Sequence, residues 1–248
     1  MSHDGPGRRV SLGRLIPIAV LLTGLGLFFV FDLHHYLSFE TLKEQRAWLL
    51  GFVDEHGPLA AFAFLGLYAA AVAFSLPGGA LLTITGGFLF GLVLGPLLSV
   101  LGATIGAVVL FLATRTALYD LLHARAGPAL RKMEDGFRED AMSYLLVLRL
   151  VPLFPFWLVN IVPALLGVPL RTYVIATFFG IMPGAFVYAS VGNGLGALIA
   201  EGKSPDFGAI FRGEILLALS GLVILSLVPV VYKRLKARKA VTDQSGRG

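Results

Sequence analysis

A long apolar stretch that carries no ionisable side chain, yet is broken repeatedly by glycine and proline, restricts the folds open to this chain. Residues 58–114 contain no Asp, Glu, Lys, Arg or His, and residues 74–96 read FSLPGGALLTITGGFLFGLVLGP. Irregular backbone in lipid is tolerated only where protein or a water-filled cavity covers its polar groups. Because Gly/Pro-interrupted apolar segments mark substrate sites in transporters, this stretch is the first candidate functional region.

The composition indicates a polytopic membrane protein. The 248 residues are 56% hydrophobic and 14% charged, with a mean hydropathy of +0.82. Such values lie outside the range of soluble globular domains. The basic residues cluster at the two ends of the chain, which predicts cytoplasmic termini and argues against nucleic-acid binding. They are Arg8, Arg9, Arg14, Lys233, Arg234, Lys236, Arg238 and Lys239. We expect a multi-pass protein of the plasma membrane.

The hydropathy pattern predicts an all-α fold with about five transmembrane helices and two opposed re-entrant hairpins. Residues 1–37 are expected to hold a basic segment and a first, signal-anchor helix. Residues 38–57 predict an interfacial helix with Ser38 as N-cap and Trp48 at headgroup depth. Residues 58–199 form the predicted core, with hairpins at about 77–95 and 144–169. Residues 200–248 supply a last transmembrane helix and a basic tail.

The two interrupted segments resemble one unit used twice. Residues 77–91 and 152–167 are nearly equal in length, and each precedes a glycine-bearing span. Gly91 follows Phe90 as Gly167 follows Leu166, which suggests equivalent positions in an inverted repeat. Prolines forbid a continuous helix through the second segment. Five spans and two hairpins would place the basic termini on opposite sides, so either one segment is miscounted or the charge rule fails at one end.

Arg149 is the most informative single residue. It lies in LVLRLVPLFPF, three positions before Pro152. An arginine at mid-depth costs at least ~2.5 kcal/mol on insertion scales and usually has a partner or a function. The planar guanidinium suits a phosphate ligand. The structural alternative is that Arg149 bonds carbonyls freed by Pro152 and Pro155, or extends to the interface.

Other polar and small residues of the two segments complete the predicted site. Asn160 is expected either to cap a half-helix or to touch a ligand. Thr83, Thr85, Gly86 and Gly87 would expose backbone N–H groups at a half-helix N-terminus, or the glycines would serve only close helix contact. The predicted substrate-binding residues are Arg149, Pro152, Asn160, Thr85, Gly86 and Gly87. The predicted structural residues of the hairpins are Pro77, Gly78, Gly91, Gly167 and Pro183.

Enzyme and metal signatures are absent from the sequence. There is no HExxH, no G-x-S-x-G, no cysteine and no acidic cluster in the apolar segments. We therefore expect no catalytic activity, cofactor or metal. His34, His35 and His56 are interpreted as solvated. Asp54 and Glu55 are the carboxylates nearest to the charge-free region, where a proton relay competes with simple solvation.

The interrupted segments together resemble a known family. The sequences FSLPGGALLTITGGFLFGLVLGPLLSVLGATIGA, LRLVPLFPFWLVNIVPALLGV and FFGIMPGAFVYASVGNGLG are similar to those of the SNARE-associated Golgi protein superfamily, the DedA-like or VTT-domain membrane proteins. The resemblance covers residues 62–196. It implies opposed re-entrant hairpins and lipid translocation, of undecaprenyl phosphate in bacterial members and of phospholipids in eukaryotic relatives. Arg149, Asn160, Gly167 and Pro183 match recurring positions of the family.

One position departs from the family pattern. The family resemblance implies that proton-coupled DedA members carry an acidic residue at the start of the first hairpin, in a Pro-Gly-Glu pattern. This chain instead has Pro77-Gly78-Gly79, so Gly79 replaces that carboxylate. The resemblance is therefore closer to the Golgi-type branch, and proton coupling is not expected. The predicted function is transport or scrambling of a phosphate-bearing lipid. The predicted partners are membrane lipids, and a homo-oligomer is compatible with the sequence. The alternatives are a small-ion or inorganic-anion transporter, or a scaffold that binds partners through residues 116–143.

Overall fold

The computed structural model describes residues 12–36, 38–124, 140–150 and 155–200, and within these ranges the chain forms helices and turns without a strand. The predicted all-α class is confirmed. The elements are α1 (Leu12–Val30), a 3-10 turn (Leu33–Tyr36), α2 (Phe39–Glu44), α3 (Arg46–Ala73), α4 (Gly79–Ala124), α5 (140–150), α6 (Phe156–Leu165) and α7 (Leu170–Ala200). Pro152, the predicted last span and the basic tail lie outside the described residues.

The segment expected to be a single interfacial helix is divided. Ser38 Oγ accepts a hydrogen bond from the N–H of Thr41 at 3.2 Å, which is the predicted N-cap, but it caps the short helix α2. Helix α3 then runs from the interfacial segment into the first apolar span without ending. Its backbone leaves helical geometry only at His56 (φ −130°, ψ 38°), two residues before Pro58. A proline removes a helical N–H and crowds the preceding turn, so the kink falls at the predicted boundary.

The first interrupted segment is more regular than its sequence indicates. Residues 79–90 form a helix, here called α4a, and its break is confined to Gly91 (φ 75°, ψ −167°). The expectation that Thr83, Thr85, Gly86 and Gly87 lie at a helix start is wrong. Leu82 already donates its N–H to the carbonyl of Gly78 at 2.9 Å, so later N–H groups bond within the helix.

Gly91 reverses the chain. Residues 92–124, called α4b, return alongside α4a. The close approach of the two parts shows this, since a Cβ built on Gly95 would lie 2.5 Å from the carbonyl oxygen of Gly86. In a straight helix these two residues would be roughly 13 Å apart. The first segment is therefore a helical hairpin closed by a glycine in the left-handed region. Entry of this hairpin into the membrane from one side stays a prediction.

The second segment ends in the same manner. Helix α6 ends at Leu165, and Val168 donates its N–H to the carbonyl of Pro163 at 3.1 Å. This six-to-one bond is the signature of a Schellman C-cap, with Gly167 (φ 70°) in the left-handed position. Both glycines singled out as equivalent in the sequence, Gly91 and Gly167, thus have positive φ after a half-helix. That agreement supports the proposed repeat.

By length and composition alone, three helical stretches of the described part could cross a membrane, and the second of them contains the reversal at Gly91. They are Arg46–Ala73, Gly79–Ala117 and Leu170–Gly196, and a shorter apolar helix covers Leu15–Val30. The count of five spans stays a prediction. Helix α4 continues past the end of the charge-free stretch at Thr114 as far as Ala124. Residues 116–124 contain no glycine or proline, so nothing in the sequence stops the helix there.

Helix α4 forms the centre of the fold and packs mainly against α7 and α3, with further contacts to α6 and α1. Glycines allow the closest approaches. A Cβ on Gly87 would overlap the backbone of Ala189, and a Cβ on Gly192 would overlap the carbonyl of Ile84. Gly102 similarly lies against the Cβ of Tyr68. Small residues at helix contacts are the usual solution in membranes, where lipid offers no hydrophobic driving force for association.

Candidate functional site

A cavity of about 310 Å³ lies between the first interrupted segment and Arg149, which precedes the second segment. Its walls come from α3, the start of α4a, α4b, α5 and the middle of α7. The lining includes Tyr68, Gly79, Thr83, Arg149, Gly184 and Tyr188. Arg149 is the charged side chain of this lining, and among the described lining residues none is a carboxylate. The cavity is thus an apolar pocket with one cationic wall.

The guanidinium of Arg149 is held by neutral polar groups. Its Nη2 lies 2.8 Å from Asn160 Oδ1, 2.9 Å from the hydroxyl of Tyr173 and 2.9 Å from Thr177 Oγ1. The two hydrogens of Nη2 are shared among these three acceptors. The guanidinium carbon also lies 5.3 Å from the centroid of the Tyr173 ring, within cation–π range. These contacts fix the orientation of the Arg149 side chain. Because the three acceptor groups are neutral, they do not neutralise its positive charge.

The surrounding helices are shaped to accept this arginine. Asn160, Tyr173 and Thr177 are fully or almost fully buried, and Tyr173 also donates to Asn160 Oδ1 at 2.8 Å. Tyr173 and Thr177 are four residues apart, so they share one face of α7. Gly180, one turn further along α7, leaves room for the stem of Arg149, because a Cβ at that position would lie 2.7 Å from Arg149 Cβ.

The opposite wall presents oxygen atoms at the start of α4a. The carbonyl of Gly79 accepts hydrogen bonds from the Tyr68 hydroxyl at 3.1 Å and from Thr83 Oγ1 at 2.8 Å, and the two hydroxyls lie 2.9 Å apart. Gly79 is the position at which the family resemblance implies a carboxylate in proton-coupled members. Here a backbone carbonyl and two hydroxyl groups occupy this position in place of a carboxylate.

The predicted site residues fall into three groups. Arg149, Pro77 and Gly78 line the cavity. Asn160 neither caps a helix nor reaches the cavity: it lies inside α6, whose N-cap is Pro155, and it bonds to Arg149. Gly86 and Gly87 lie at close helix contacts away from the cavity, as the packing interpretation expected, and Thr85 Oγ1 bonds to the carbonyl of Leu81. The structural glycines Gly91 and Gly167 form the turns already described, and Pro183 lies within α7 beside Gly184.

The sequence interpretation missed two of the three residues that hold Arg149, and also Tyr68, which lines the cavity. Tyr173 and Thr177 are a polar pair spaced by four residues in an apolar span, and that spacing is the signal that indicates a shared buried face. Tyr68 is a single hydroxyl-bearing residue in its span. The carboxylates considered for a proton relay, Asp54 and Glu55, are exposed and lie outside the cavity.

Comparison with known proteins agrees with this architecture. The VTT domain family matches residues 76–194, which include both interrupted segments and most of the cavity. The chain belongs to the VTT-domain family. It is 32% identical over 181 residues to transmembrane protein 41B of Homo sapiens, covering 71% of this chain and 60% of that protein. It is 30% identical over 203 residues to a transmembrane protein 41 homolog of Dictyostelium discoideum, covering 80% and 59%.

The comparison confirms the resemblance inferred from the motifs, including the likeness to Golgi-type proteins. The chain spans about three fifths of the length of these relatives. No solved structure matches it. The VTT domain begins at Leu76, beside the Pro77-Gly78-Gly79 turn, so Tyr68 is a cavity residue that precedes the domain. The protein is a multi-pass membrane protein of this family.

Proposed function

We propose that this protein is a non-enzymatic transporter or scramblase that moves a phosphate-bearing lipid across the plasma membrane. The observation that carries the proposal is the position of Arg149 on the wall of a cavity that the first interrupted segment also lines. A guanidinium in an apolar protein is costly unless it serves a bound anion or a structural network. Here the network engages Nη2, while the residue as a whole still lines the cavity.

A second feature of the cavity also favours an anion. Helix α4a begins at Gly79, and Gly78, Gly79 and Ala80 all line the cavity. The first N–H groups of a helix have no carbonyl one turn earlier to bond, and the helix dipole places partial positive charge there. The guanidinium and this helix start therefore bring positive potential to one cavity from two different segments. A phosphate diester or monoester meets the chemistry of both.

The size and lining of the cavity fit a lipid headgroup better than a whole lipid. A volume of about 310 Å³ is at the lower end of the range for small-molecule sites. Acyl or prenyl chains would remain in the bilayer, so only the headgroup needs a polar path. This arrangement lowers the barrier for the charged part of the lipid, which is the part that hydrocarbon excludes.

We propose that a proton gradient does not drive the movement of lipid by this protein. No carboxylate lines the cavity among the residues that the structure describes. The position at which a family carboxylate would stand is Gly79, whose carbonyl is occupied by Tyr68 and Thr83. Lipid movement down its own gradient needs no coupled ion. We therefore expect transport rates that do not respond to an imposed pH gradient.

The proposal is tested by substitution of Arg149 in a reconstituted lipid-flip assay with a fluorescent phosphatidylglycerol. Arg149→Ala is expected to slow flipping by about tenfold to a hundredfold, because charge-assisted hydrogen bonds contribute ~1.5–3 kcal/mol. Arg149→Lys should retain part of the rate, since it keeps the charge and loses the planar fork. Arg171→Ala, an exposed arginine at the start of α7, is the matched control. Unchanged flipping by a folded Arg149→Ala protein would refute the phosphate-ligand role.

An inorganic-anion transporter is the second candidate, favoured by the same cationic wall and modest cavity volume. An anion transporter requires a continuous hydrated path across the membrane. A lipid transporter does not, because its headgroup route can be open to the bilayer. Phosphate or chloride flux by vesicles in which no lipid flips would favour this alternative. The scaffold alternative depends on residues 116–143, of which 125–139 lie outside the described part of the chain.

A further inference from the structure

A second, larger cavity lies on the other side of α4a. This groove has a volume of about 570 Å³ and is bounded by α2, the start of α3 and α4a. One part of its lining is polar and consists of Ser38, Thr41, Glu44 and Gln45. The remaining lining is mainly apolar and includes Leu49, Leu67, Leu81 and Leu82. The groove thus has the two-sided chemistry of an amphiphile.

The polar part of the groove is well defined by local structure. Ser38 Oγ and Thr41 Oγ1 lie 2.9 Å apart at the start of α2, and Thr41 Oγ1 donates to the carbonyl of His35 at 3.2 Å. The charged side chain in the groove lining is the exposed carboxylate of Glu44. A carboxylate beside hydroxyl and amide groups suits a headgroup that carries an ammonium.

The aromatic side chain at the groove also fits a membrane amphiphile. Trp48 lines the groove, remains 65% exposed and stacks on Phe52 with ring centroids 5.6 Å apart. Exposed tryptophan is typical of the headgroup level of a bilayer, where the ring meets both water and hydrocarbon. The polar lining near α2 would then face the headgroup layer, and the leucines would face the acyl region.

The groove and the arginine cavity share one wall. Leu82 lines both spaces and is only 4% exposed. Its neighbours on α4a divide between the two sides, because Thr83 lines the arginine cavity and Leu81 lines the groove. A single helix therefore separates the two spaces, and Leu82 contributes to both linings.

We propose that the groove binds one zwitterionic membrane phospholipid and that Leu82 is the barrier through which its headgroup passes into the arginine cavity. The proposal rests on the function proposed above and extends it to the path that the lipid follows. In the groove the ammonium lies near Glu44 and the acyl chains lie along the leucines. Displacement of Leu82 then exposes the phosphate to Arg149, which lines the cavity beyond α4a.

Blocking the groove provides the first test. Leu67→Trp adds bulk to the groove from α3, and Leu59→Trp adds the same bulk at a position on α3 outside the groove lining. The two leucines are 56% and 58% exposed, so the substitutions should affect folding equally. We expect Leu67→Trp to lower the flip rate of phosphatidylcholine in phosphatidylcholine vesicles several-fold and Leu59→Trp to leave it unchanged. Equal rates for both variants would overturn the proposal.

A photoreactive lipid tests occupancy without requiring transport. Phosphatidylcholine with a diazirine in its acyl chain is reconstituted with the full chain, irradiated, and the labelled residues are mapped by mass spectrometry. We expect labelling to concentrate on the groove leucines, and Leu67→Trp to reduce it. Labelling of the exposed Phe62 as strong as that of the groove would overturn the proposal, since Phe62 reports ordinary contact with bulk lipid.

The barrier is tested by Leu82→Ala, which joins the two spaces, against Leu82→Met, which conserves volume. Leu82→Ala is expected to raise the flip rate above that of Leu82→Met, provided that the purified protein remains monodisperse, because only alanine removes the bulk shared by the two linings. Groove labelling in a protein that flips no lipid would refute the proposed function and the barrier while leaving a lipid site. Flipping that is abolished by Arg149→Ala but indifferent to Leu67→Trp and Leu82→Ala would overturn this inference alone.

Discussion

Arg149 shows how one charged side chain is stabilised inside an apolar protein. Its Nη2 is satisfied by Asn160, Tyr173 and Thr177, which come from two helices that follow it in the chain. The acceptors are neutral, so they compensate for lost hydration while the positive charge persists. These three partners do not neutralise the guanidinium, which is compatible with its proposed role as an anion ligand.

Ser75 has an unusual backbone conformation that gives a first prediction on stability. It terminates α3 with φ 56°, and Ser75 and Leu76 donate their N–H groups to the carbonyls of Val72 and Ala71, which defines a Schellman cap. Glycine avoids the left-handed penalty of roughly 1–2 kcal/mol but loses more backbone entropy on folding, so Ser75→Gly should raise the free energy of unfolding by up to about 1 kcal/mol. Denaturant titration in detergent micelles measures the change. Ser190→Gly, inside α7, should instead lower stability.

At the residue scale, the sequence predicts Arg149 as a site residue but does not predict which residues bind its guanidinium. Its isolation in an apolar segment identified Arg149 as a site residue, since a charge among leucines is visible in the sequence. Tyr173 and Thr177 lie 24 and 28 residues away, and only the packing of α7 beside α5 brings them to the guanidinium. Asn160 was assigned a direct role in binding, yet its position inside α6 makes it a support for Arg149.

At the scale of elements, the broken segments are half-helices that end in glycine turns. The prolines and glycines predicted interruption correctly, and the paired turns at Gly91 and Gly167 follow from the matched order of the segments. The continuity of α4a was not predictable in this way. Gly86 and Gly87 were expected either at a half-helix N-terminus or at close helix contacts, and the structure agrees with the second, since they lie in a helix against Gly95 and Ala189. Composition does not distinguish these two uses of glycine.

The turn at Gly91 gives a prediction for the first hairpin. Its combination of φ 75° and ψ −167° is essentially restricted to glycine, and a Cβ there would strain the backbone. Gly91→Ala should lower the free energy of unfolding by about 1–3 kcal/mol. Gly66→Ala is the matched control, because a Cβ at Gly66 in α3 meets nothing within 4 Å. Equal unfolding midpoints for the two variants would show that the chain does not reverse at Gly91.

At the scale of the molecule, the two segments meet at one cavity that α7 completes. The first contributes a helix start and the second contributes Arg149, while α7 supplies Thr177 to the arginine and Gly184 to the cavity wall. The all-helical class and the family were accessible from the sequence, because both depend on composition and motif order. The cavity was not, since its walls combine residues from four separated parts of the chain.

The central claim is that lipid headgroups pass through this cavity, and filling it provides the most direct measurement. A Cβ at Gly184 meets nothing within 4 Å and Gly184 lines the cavity, so Gly184→Phe should occupy the space without a clash at the backbone. Gly194→Phe, equally unobstructed on α7 but outside the lining, is the control. In reconstituted vesicles we predict that Gly184→Phe flips lipid no faster than protein-free vesicles, whereas Gly194→Phe retains the rate of the unaltered protein. Undiminished flipping by a folded Gly184→Phe protein would contradict the account.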